Sequence, residues 1–271
     1  MKFTILGSKG FIGSNLVKNL QAEGVECYCP DIRTDDISGQ GLGNVIYAIG
    51  VPDFLTRPFD AVEAHVCSFK KIIAETSFDS LLYCSGTRVY LENIKTNENS
   101  SLSVNPNKFE HLYNISKIMG ESLCIAAKNP RIKIARLSNV TGNNFESNLF
   151  IPSILREAVI NKKITLHTKL ESQKDYIHIN DVTKILPKIC VDGKNQIYNV
   201  ASGTNLSSKS IIDKIVQIMP VDIEVIPDAK EYSFPPINID LLKNEFDFKP
   251  ISILDFIEDM VKNFRNFFQK N

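Results

Sequence analysis

Lys2-Phe3-Thr4-Ile5-Leu6-Gly7-Ser8-Lys9-Gly10-Phe11-Ile12-Gly13-Ser14-Asn15-Leu16-Val17 is the stretch on which the fold turns. Lys2 to Leu6 reads as a buried strand, and Ser14 to Glu23 as a helix. Between them lie three glycines spaced G-x-x-G-x-x-G, at Gly7, Gly10 and Gly13. Glycine there permits a tight turn, lets the backbone approach a pyrophosphate, and lets the helix pack closely on the strand. Phe11 and Ile12 lie in the turn that leads into the helix, whose amide groups and dipole favour a phosphate at its N-terminus. The spacing departs from the commoner G-x-G-x-x-G, so the reading depends on its flanks. A second strand over Glu26 to Pro30 leads to Asp31, 18 positions beyond Gly13. A carboxylate at that point can hold the ribose hydroxyls of an adenosine and repel a 2′-phosphate. Lys9 and Arg33 lie close by in sequence, and either could receive such a phosphate. The stretch therefore predicts a dinucleotide site that takes NAD, with NADP possible.

Working outward, strand-like and helix-like segments alternate through the first half of the chain. Further strands are predicted over Val45–Ile49, Ser80–Cys84 and Ile132–Leu137, with helices over Asp60–Thr76 and Leu112–Lys128. Alternation of this kind gives an α/β fold, a Rossmann-type doubly wound parallel sheet covered on both faces. Between Asp31 and Val45 there is little room for a strand and a helix, so that layer is abbreviated. After Asn139 the texture changes to short elements. Residues 1–140 are thus predicted to form the dinucleotide-binding domain. Residues 141–271 are predicted to form mainly a smaller C-terminal substrate lobe, with some segments returning to the sheet. An amphipathic helix over Ile251–Phe268 closes the chain, with Phe256, Ile257, Met260, Val261 and Phe264 at helical spacing.

Composition bounds the remaining classes. The 271 residues carry 31 basic and 31 acidic side chains, so no global field attracts nucleic acid or an anionic membrane. There is no apolar run long enough to span a bilayer, and the chain opens directly into a strand. Cys27-Tyr28-Cys29 is one residue short of C-x-x-C, and no second pair complements it. The six cysteines read as reduced core thiols, which fits the cytoplasm. No residue set is predicted to hold a metal.

The second chemical signal is Tyr113-Asn114-Ile115-Ser116-Lys117, which puts Tyr113 and Lys117 one turn apart on one helix face. A phenol is a poor base at neutral pH, and a neighbouring ammonium would stabilise its phenolate. The lysine could also bind a nicotinamide ribose.

Together with Ser85-Gly86-Thr87-Arg88-Val89-Tyr90, Arg136-Leu137-Ser138-Asn139-Val140-Thr141-Gly142 and Asp175-Tyr176-Ile177-His178-Ile179-Asn180-Asp181-Val182, these motifs resemble the extended short-chain dehydrogenase/reductase family. Its members are nucleotide-sugar epimerases, dehydratases and 4-ketoreductases. The resemblance implies a nucleotide-sugar substrate and a homodimer built on the helices around Ala61–Thr76 and Leu112–Lys128. It also implies hydride transfer at a ring carbon, commonly carbon 4, with Tyr113 as acid/base and Lys117 beside it. It places Ala48 at the cofactor, and Asn139, Phe150-Ile151-Pro152, Lys174 and Lys230 at the substrate. The family's serine or threonine before the V-Y pair falls here on Gly86, leaving Thr87 as first substitute and Ser85 as second. Thr87-Arg88 stands where dehydratases carry an Asp-Glu pair, which demotes dehydration. His65 replaces a frequent asparagine, and His178 is expected to be structural. Epimerase leads, with 4-ketoreductase and a non-catalytic binding module as alternatives.

Overall fold

The computed structural model describes residues 2–51 and 53–270. In chain order the elements are β1 (Lys2–Leu6), α1 (Phe11–Ala22), β2 (Glu26–Tyr28), β3 (Asn44–Tyr47), α2 (Pro58–Val62), α3 (Ser68–Glu75), β4 (Ser80–Gly86), α4 (Leu112–Ala126) and β5 (Ile132–Leu137). They continue with β6 (Asn139–Thr141), α5 (Phe150–Asn161), β7 (Lys163–Thr168), β8 (Gln173–His178), α6 (Ile179–Asp192), β9 (Ile197–Val200), β10 (Asn205–Ser207), α7 (Ser208–Ile218), β11 (Asp222–Lys230), α8 (Asp240–Phe246) and α9 (Ile253–Lys270).

Two compact units emerge. The first comprises Met1–Ser138, Asn180–Val200 and Asn238–Phe248. Its sheet has six strands in the order β2-β1-β3-β4-β5-β9, and every pairing is parallel. The central strands are near-continuous apolar runs because both faces are covered; β4 is buried along all seven residues. The expected abbreviation after Asp31 is present. Residues 31–43 turn and cross with no sheet strand of their own, held by a bridge from Gly41 to Ser77, by backbone bonds to Glu75 and Ser77, and by Ile37 and Leu42 in the core. The sheet therefore ends at β2.

The helix expected over Asp60–Thr76 is not one regular helix. It is α2 and α3 joined by a π turn at Glu63–Cys67. Two buried tyrosines explain how the irregular turn is held. Tyr47 Oη donates to the Ala64 carbonyl at 2.6 Å, and Tyr83 Oη donates to the His65 carbonyl at 3.0 Å. Their rings pack with Phe69, so hydroxyls that burial would otherwise strand are satisfied by the turn. Gly120 lets α4 press onto the same place, since a side chain there would meet both Tyr83 Oη and the His65 carbonyl.

The second unit comprises Asn139–Ile179, Ala201–Ile237 and Lys249–Asn271. It holds a three-stranded sheet, β10-β8-β6, and a two-stranded sheet, β11-β7. Helices α5, α7 and α9 share its core with Ile164, Leu166 and Tyr176. The predicted stripe of α9 is real: Ile257, Met260, Val261 and Phe264 are buried there. Burying each such side chain contributes about 1.5–3 kcal/mol. Phe256 takes a different task, stacking on the His178 ring at 3.7 Å.

The cysteines need a correction. Cys84, Cys124 and Cys190 are buried thiols, but Cys29 and Cys67 are exposed, on a sheet-edge turn and the π turn respectively. No helix among the described residues is long and apolar enough to cross a membrane.

Candidate active site

The glycine turn is built around backbone contacts that leave no room for side chains. Gly7 has φ +90°, and a Cβ there would lie 2.9 Å from the Ala48 carbonyl carbon and oxygen. That close approach of β1 to the end of β3 is what places Ala48 at the turn; its amide donates to the Leu6 carbonyl at 2.9 Å. Gly13 is tighter still, since a Cβ would fall within contact distance of the Gly7 carbonyl and the Ser8 backbone. Gly10 caps α1 with extended backbone, at φ −78° and ψ 167°. No side chain caps the helix and no acid lies in its first turn, so Phe11, Ile12 and Gly13 begin a helix whose positive end is uncompensated. A cradle that a Cβ would fill fits a dinucleotide pyrophosphate.

Asp31 lies at the end of the second β-α layer, bonded to both neighbouring cations. Lys9 Nζ donates to it at 3.0 Å, and Arg33 Nε and Nη2 donate to its two oxygens at 2.9 and 2.8 Å. Hydrogen bonds from Arg33, then from Lys9, hold its carboxyl well below the usual carboxylate range. The two cations remain about four-fifths exposed, at 78% and 79%. Asp31, Lys9 and Arg33 therefore form one cluster.

Tyr113 and Lys117 lie on α4 beside the end of β4; Lys117 is buried and Tyr113 half-buried. A Cβ on Gly86 would lie 3.0 Å from Tyr113 Oη. The bare glycine thus gives the phenol the space that a side chain at position 86 would claim. Phe54 packs on the Tyr113 ring at 4.9 Å, and His65 meets it edge-on at 5.3 Å. Burial pushes the phenol up to about 12, and the charge of Arg88 opposes that rise.

Lys117, expected to act beside the phenol, also contacts β4. Lys117 Nζ donates to the Cys84 carbonyl at 2.8 Å and lies over the Tyr83 ring at 5.1 Å. Burial also lowers its own proton affinity, to about 8.

Ser85 is likewise committed elsewhere. Its hydroxyl donates to Glu121 at 2.5 Å. Glu121 forms a buried ion pair with Arg136 at 2.6 Å, and Arg136 also donates to Tyr90 Oη. With its proton given to Glu121, the Ser85 hydroxyl keeps acceptor capacity only, and the role it shows is in that network. Thr87 opens a short 3-10 turn after β4 and is buried.

His65, whose effect the sequence left open, now has one. Ser116 Oγ donates to the Tyr113 carbonyl, so it accepts from His65 Nδ1 at 2.9 Å. The other nitrogen, Nε2, accepts from the Val51 amide at 3.4 Å. Burial, with Lys117 nearby, holds the imidazole neutral down to about pH 2. No sequence signal beyond the departure from asparagine could have found this link.

In the second unit, Asn139 Nδ2 donates to the Asp175 carbonyl at 2.7 Å. Lys174 Nζ sits 5.8 Å from both the Tyr232 and Phe234 ring centres, and those two aromatics were not anticipated. Phe150 faces Tyr176 at 6.3 Å and keeps some surface. Ile151 and Pro152 are buried at the start of α5, so they are corrected to core positions. Lys230 is exposed at the end of β11, paired in register with Thr168. Asp175 accepts from the Ser202 and Gly203 amides, which fixes the turn before β10. Among the described residues no cluster of His, Cys, Asp and Glu could hold a metal ion.

A parallel sheet with a glycine cradle after β1, and a Tyr-Lys helix beside the end of β4, defines an extended short-chain dehydrogenase/reductase. The chain belongs to the NAD dependent epimerase/dehydratase family, whose profile matches residues 3–201. It is 22% identical over 253 residues to the GDP-6-deoxy-D-mannose reductase of Pseudomonas aeruginosa, covering 83% of this chain and 82% of that one. The Pseudomonas aeruginosa RMD structure complexed with NADPH superposes with a TM-score of 0.77 at 17% identity, covering 98% and 99% of the two chains. UDP-glucuronic acid 4-epimerase from Bacillus cereus, in complex with UDP-glucuronic acid and NAD, gives 0.75 at 18%, covering 98% and 100%. The family is NAD(P)-dependent, and its relatives span epimerases, dehydratases and reductases of nucleotide sugars.

Proposed function

We propose that the protein is a nucleotide-sugar 4-epimerase, acting as a cytoplasmic homodimer with NAD as cofactor. The observation that carries this reading is the placement of the Tyr113 hydroxyl at the end of β4, in the space left open by Gly86. Gly7, Gly10, Phe11, Ile12, Gly13 and Ala48 would hold the pyrophosphate end, and Asp31 the adenosine ribose. When bound, the nicotinamide exchanges a hydride with the sugar carbon. Tyr113 takes the proton of the sugar hydroxyl as that carbon is oxidised and returns it on reduction. Lys117 would bind the nicotinamide ribose, and Thr87 the reacting sugar oxygen. Asn139, Phe150, Lys174 and Lys230 serve the nucleotide end, with Tyr232 and Phe234 flanking Lys174.

One observation favours a second reading. Lys9 and Arg33 are exposed cations that could re-pair from Asp31 to a 2′-phosphate, which suits an NADP-dependent 4-ketoreductase. Incubation with UDP-, GDP- and dTDP-hexoses and UDP-glucuronic acid, read by proton NMR, tests both. Inversion at carbon 4 without net cofactor consumption is the expected result. Consumption of NADPH with a 4-keto sugar nucleotide would assign the reductase instead. Tight NADH binding with no turnover of any sugar nucleotide would reduce the protein to a binding module.

A further inference from the structure

Tyr113 is the second residue of α4, and the first turn of a helix is where main-chain amides lack intrahelical partners. α4 begins without a capping side chain and without an acid in its first turn. The turn that carries the phenol is therefore held by what precedes it. That is His111, which ends a 3-10 turn over Phe109–His111 running directly into α4, and whose ring is buried.

The ring is tied on both sides to the segment that joins β4 to α4. Nδ1 accepts the Asn105 amide at 3.1 Å, so that nitrogen is unprotonated and the neutral ring carries its proton on Nε2. Nε2 lies 3.5 Å from Glu92 Oε1, the same oxygen that Lys108 Nζ meets at 2.6 Å. Main-chain bonds tighten the loop between: the His111 amide donates to the Lys108 carbonyl at 2.9 Å, and the Lys108 amide to the Asn105 carbonyl at 3.1 Å. The charges set around the ring are those of Glu92 and Lys108, with Glu110 beside Lys108. One imidazole thus joins residues 92 and 105 to the start of the helix.

We propose that His111 is a positioning residue: in its neutral form it pins the first turn of α4, and with it Tyr113, to the β4–α4 connection, and uptake of a proton undoes the pin. A proton on Nδ1 would face the Asn105 N–H donor to donor, so that bond is lost. On the other side the charged ring is drawn to Glu92, whose oxygen it must share with Lys108. The ring then leans towards residue 92 and lets go of residue 105. Histidine is the side chain that ordinarily changes charge near neutrality, which makes such a pin a pH-sensitive part of the site. Its bearing on turnover rests on Tyr113 being the acid/base of the proposed reaction, but the pin is measured without cofactor or sugar. Failure of the one is therefore distinct from failure of the other.

Amide hydrogen exchange by NMR on the ligand-free protein, normalised to the intrinsic rate at each pH, tests this beside the ring nitrogen signals of His111. Two amides report. That of Asn105 is bonded to the ring, and that of Lys117 closes the first turn on the Tyr113 carbonyl by α-helical geometry. The neutral ring should show its proton on Nε2, with both amides protected. As the ring takes up its second proton, protection of both should fall about tenfold, in step with the ring signals. His111→Asn keeps an acceptor near the place of Nδ1 and cannot titrate, so both amides should stay protected at every pH. His111→Phe should leave them unprotected at every pH; if it does not fold, His111→Asn still decides. The proposal is overturned if the neutral ring carries its proton on Nδ1, or if protection holds while the ring titrates. It is equally overturned if Asn105 responds alone, if the ring stays neutral until the protein unfolds, or if His111→Asn keeps the parent's pH dependence.

Discussion

Gly10 and Gly13 sit three residues apart in one turn, and an added methyl group should act differently at the two. On Gly13 a Cβ would be driven into the Gly7 carbonyl and the Ser8 backbone, neither of which can rotate away. Relief requires α1 to lift off β1, and overpacking of this kind costs about 1–3 kcal/mol, occasionally more. For a chain of this length that corresponds to a fall in melting temperature of roughly 2–12 °C. On Gly10 the nearest atom would be the Gly7 carbonyl oxygen at 3.3 Å, and the backbone is already extended. Alanine there suits the backbone conformation and stiffens the unfolded chain, an effect of up to about 1 kcal/mol in favour of folding, which the tight contact with the Gly7 carbonyl offsets in part. Gly10→Ala should therefore melt within about 2 °C of the parent. Its methyl group would project toward the phosphate cradle, so NADH affinity should fall by about tenfold or more. Differential scanning calorimetry and fluorescence titration with NADH separate the two effects. Parent-like NADH binding by Gly10→Ala would refute the cradle, and a parent-like melt of Gly13→Ala would refute the packing argument.

The other expectations concern the chemistry and the buried network. Tyr113→Phe should keep folding and NADH binding while turnover falls by roughly two orders of magnitude or more; full activity by kinetic assay would remove the mechanism. Burial holds Lys117 at about 8, so its ammonium is present below that pH and lost above it. NADH affinity should decline as pH rises through about 8, and Lys117→Met should flatten that profile in titration. The same depression makes folding stability rise with pH from about 8 towards the ordinary lysine value of 10.5, because the unfolded chain there binds the extra proton. Glu121→Ala strands Arg136 without its buried partner and should cost about 3–5 kcal/mol in chemical denaturation. Thr87→Val should lower turnover moderately, whereas Ser85→Ala should act on stability alone; the reverse pattern would put Ser85 at the substrate.

The chemistry-bearing motifs were legible because each is local. A strand, three glycines at fixed spacing and a helix specify a phosphate turn within thirteen residues, and the i, i+4 relation puts Tyr113 and Lys117 on one face. The missing layer after Asp31 was legible as a shortage of residues, and the α9 stripe as a period. The return of some later segments to the sheet was expected, but nothing local could show that they are residues 180–200 and 238–248, because those contacts span large separations in sequence. The same limit hid the partners of each polar group. Ser85 and Gly86 are adjacent in sequence, yet one bonds to Glu121 and the other opens space for Tyr113. Arg88 reads as a loop cation until its guanidinium is seen over the Phe54 ring, and nothing in the sequence shows that Lys117 also donates to the Cys84 carbonyl. Sequence spacing fixed which residues share a turn or a helix face. Only packing between distant strands and helices decided which cation meets which oxygen, since burial and hydrogen-bond competition are settled by the whole fold.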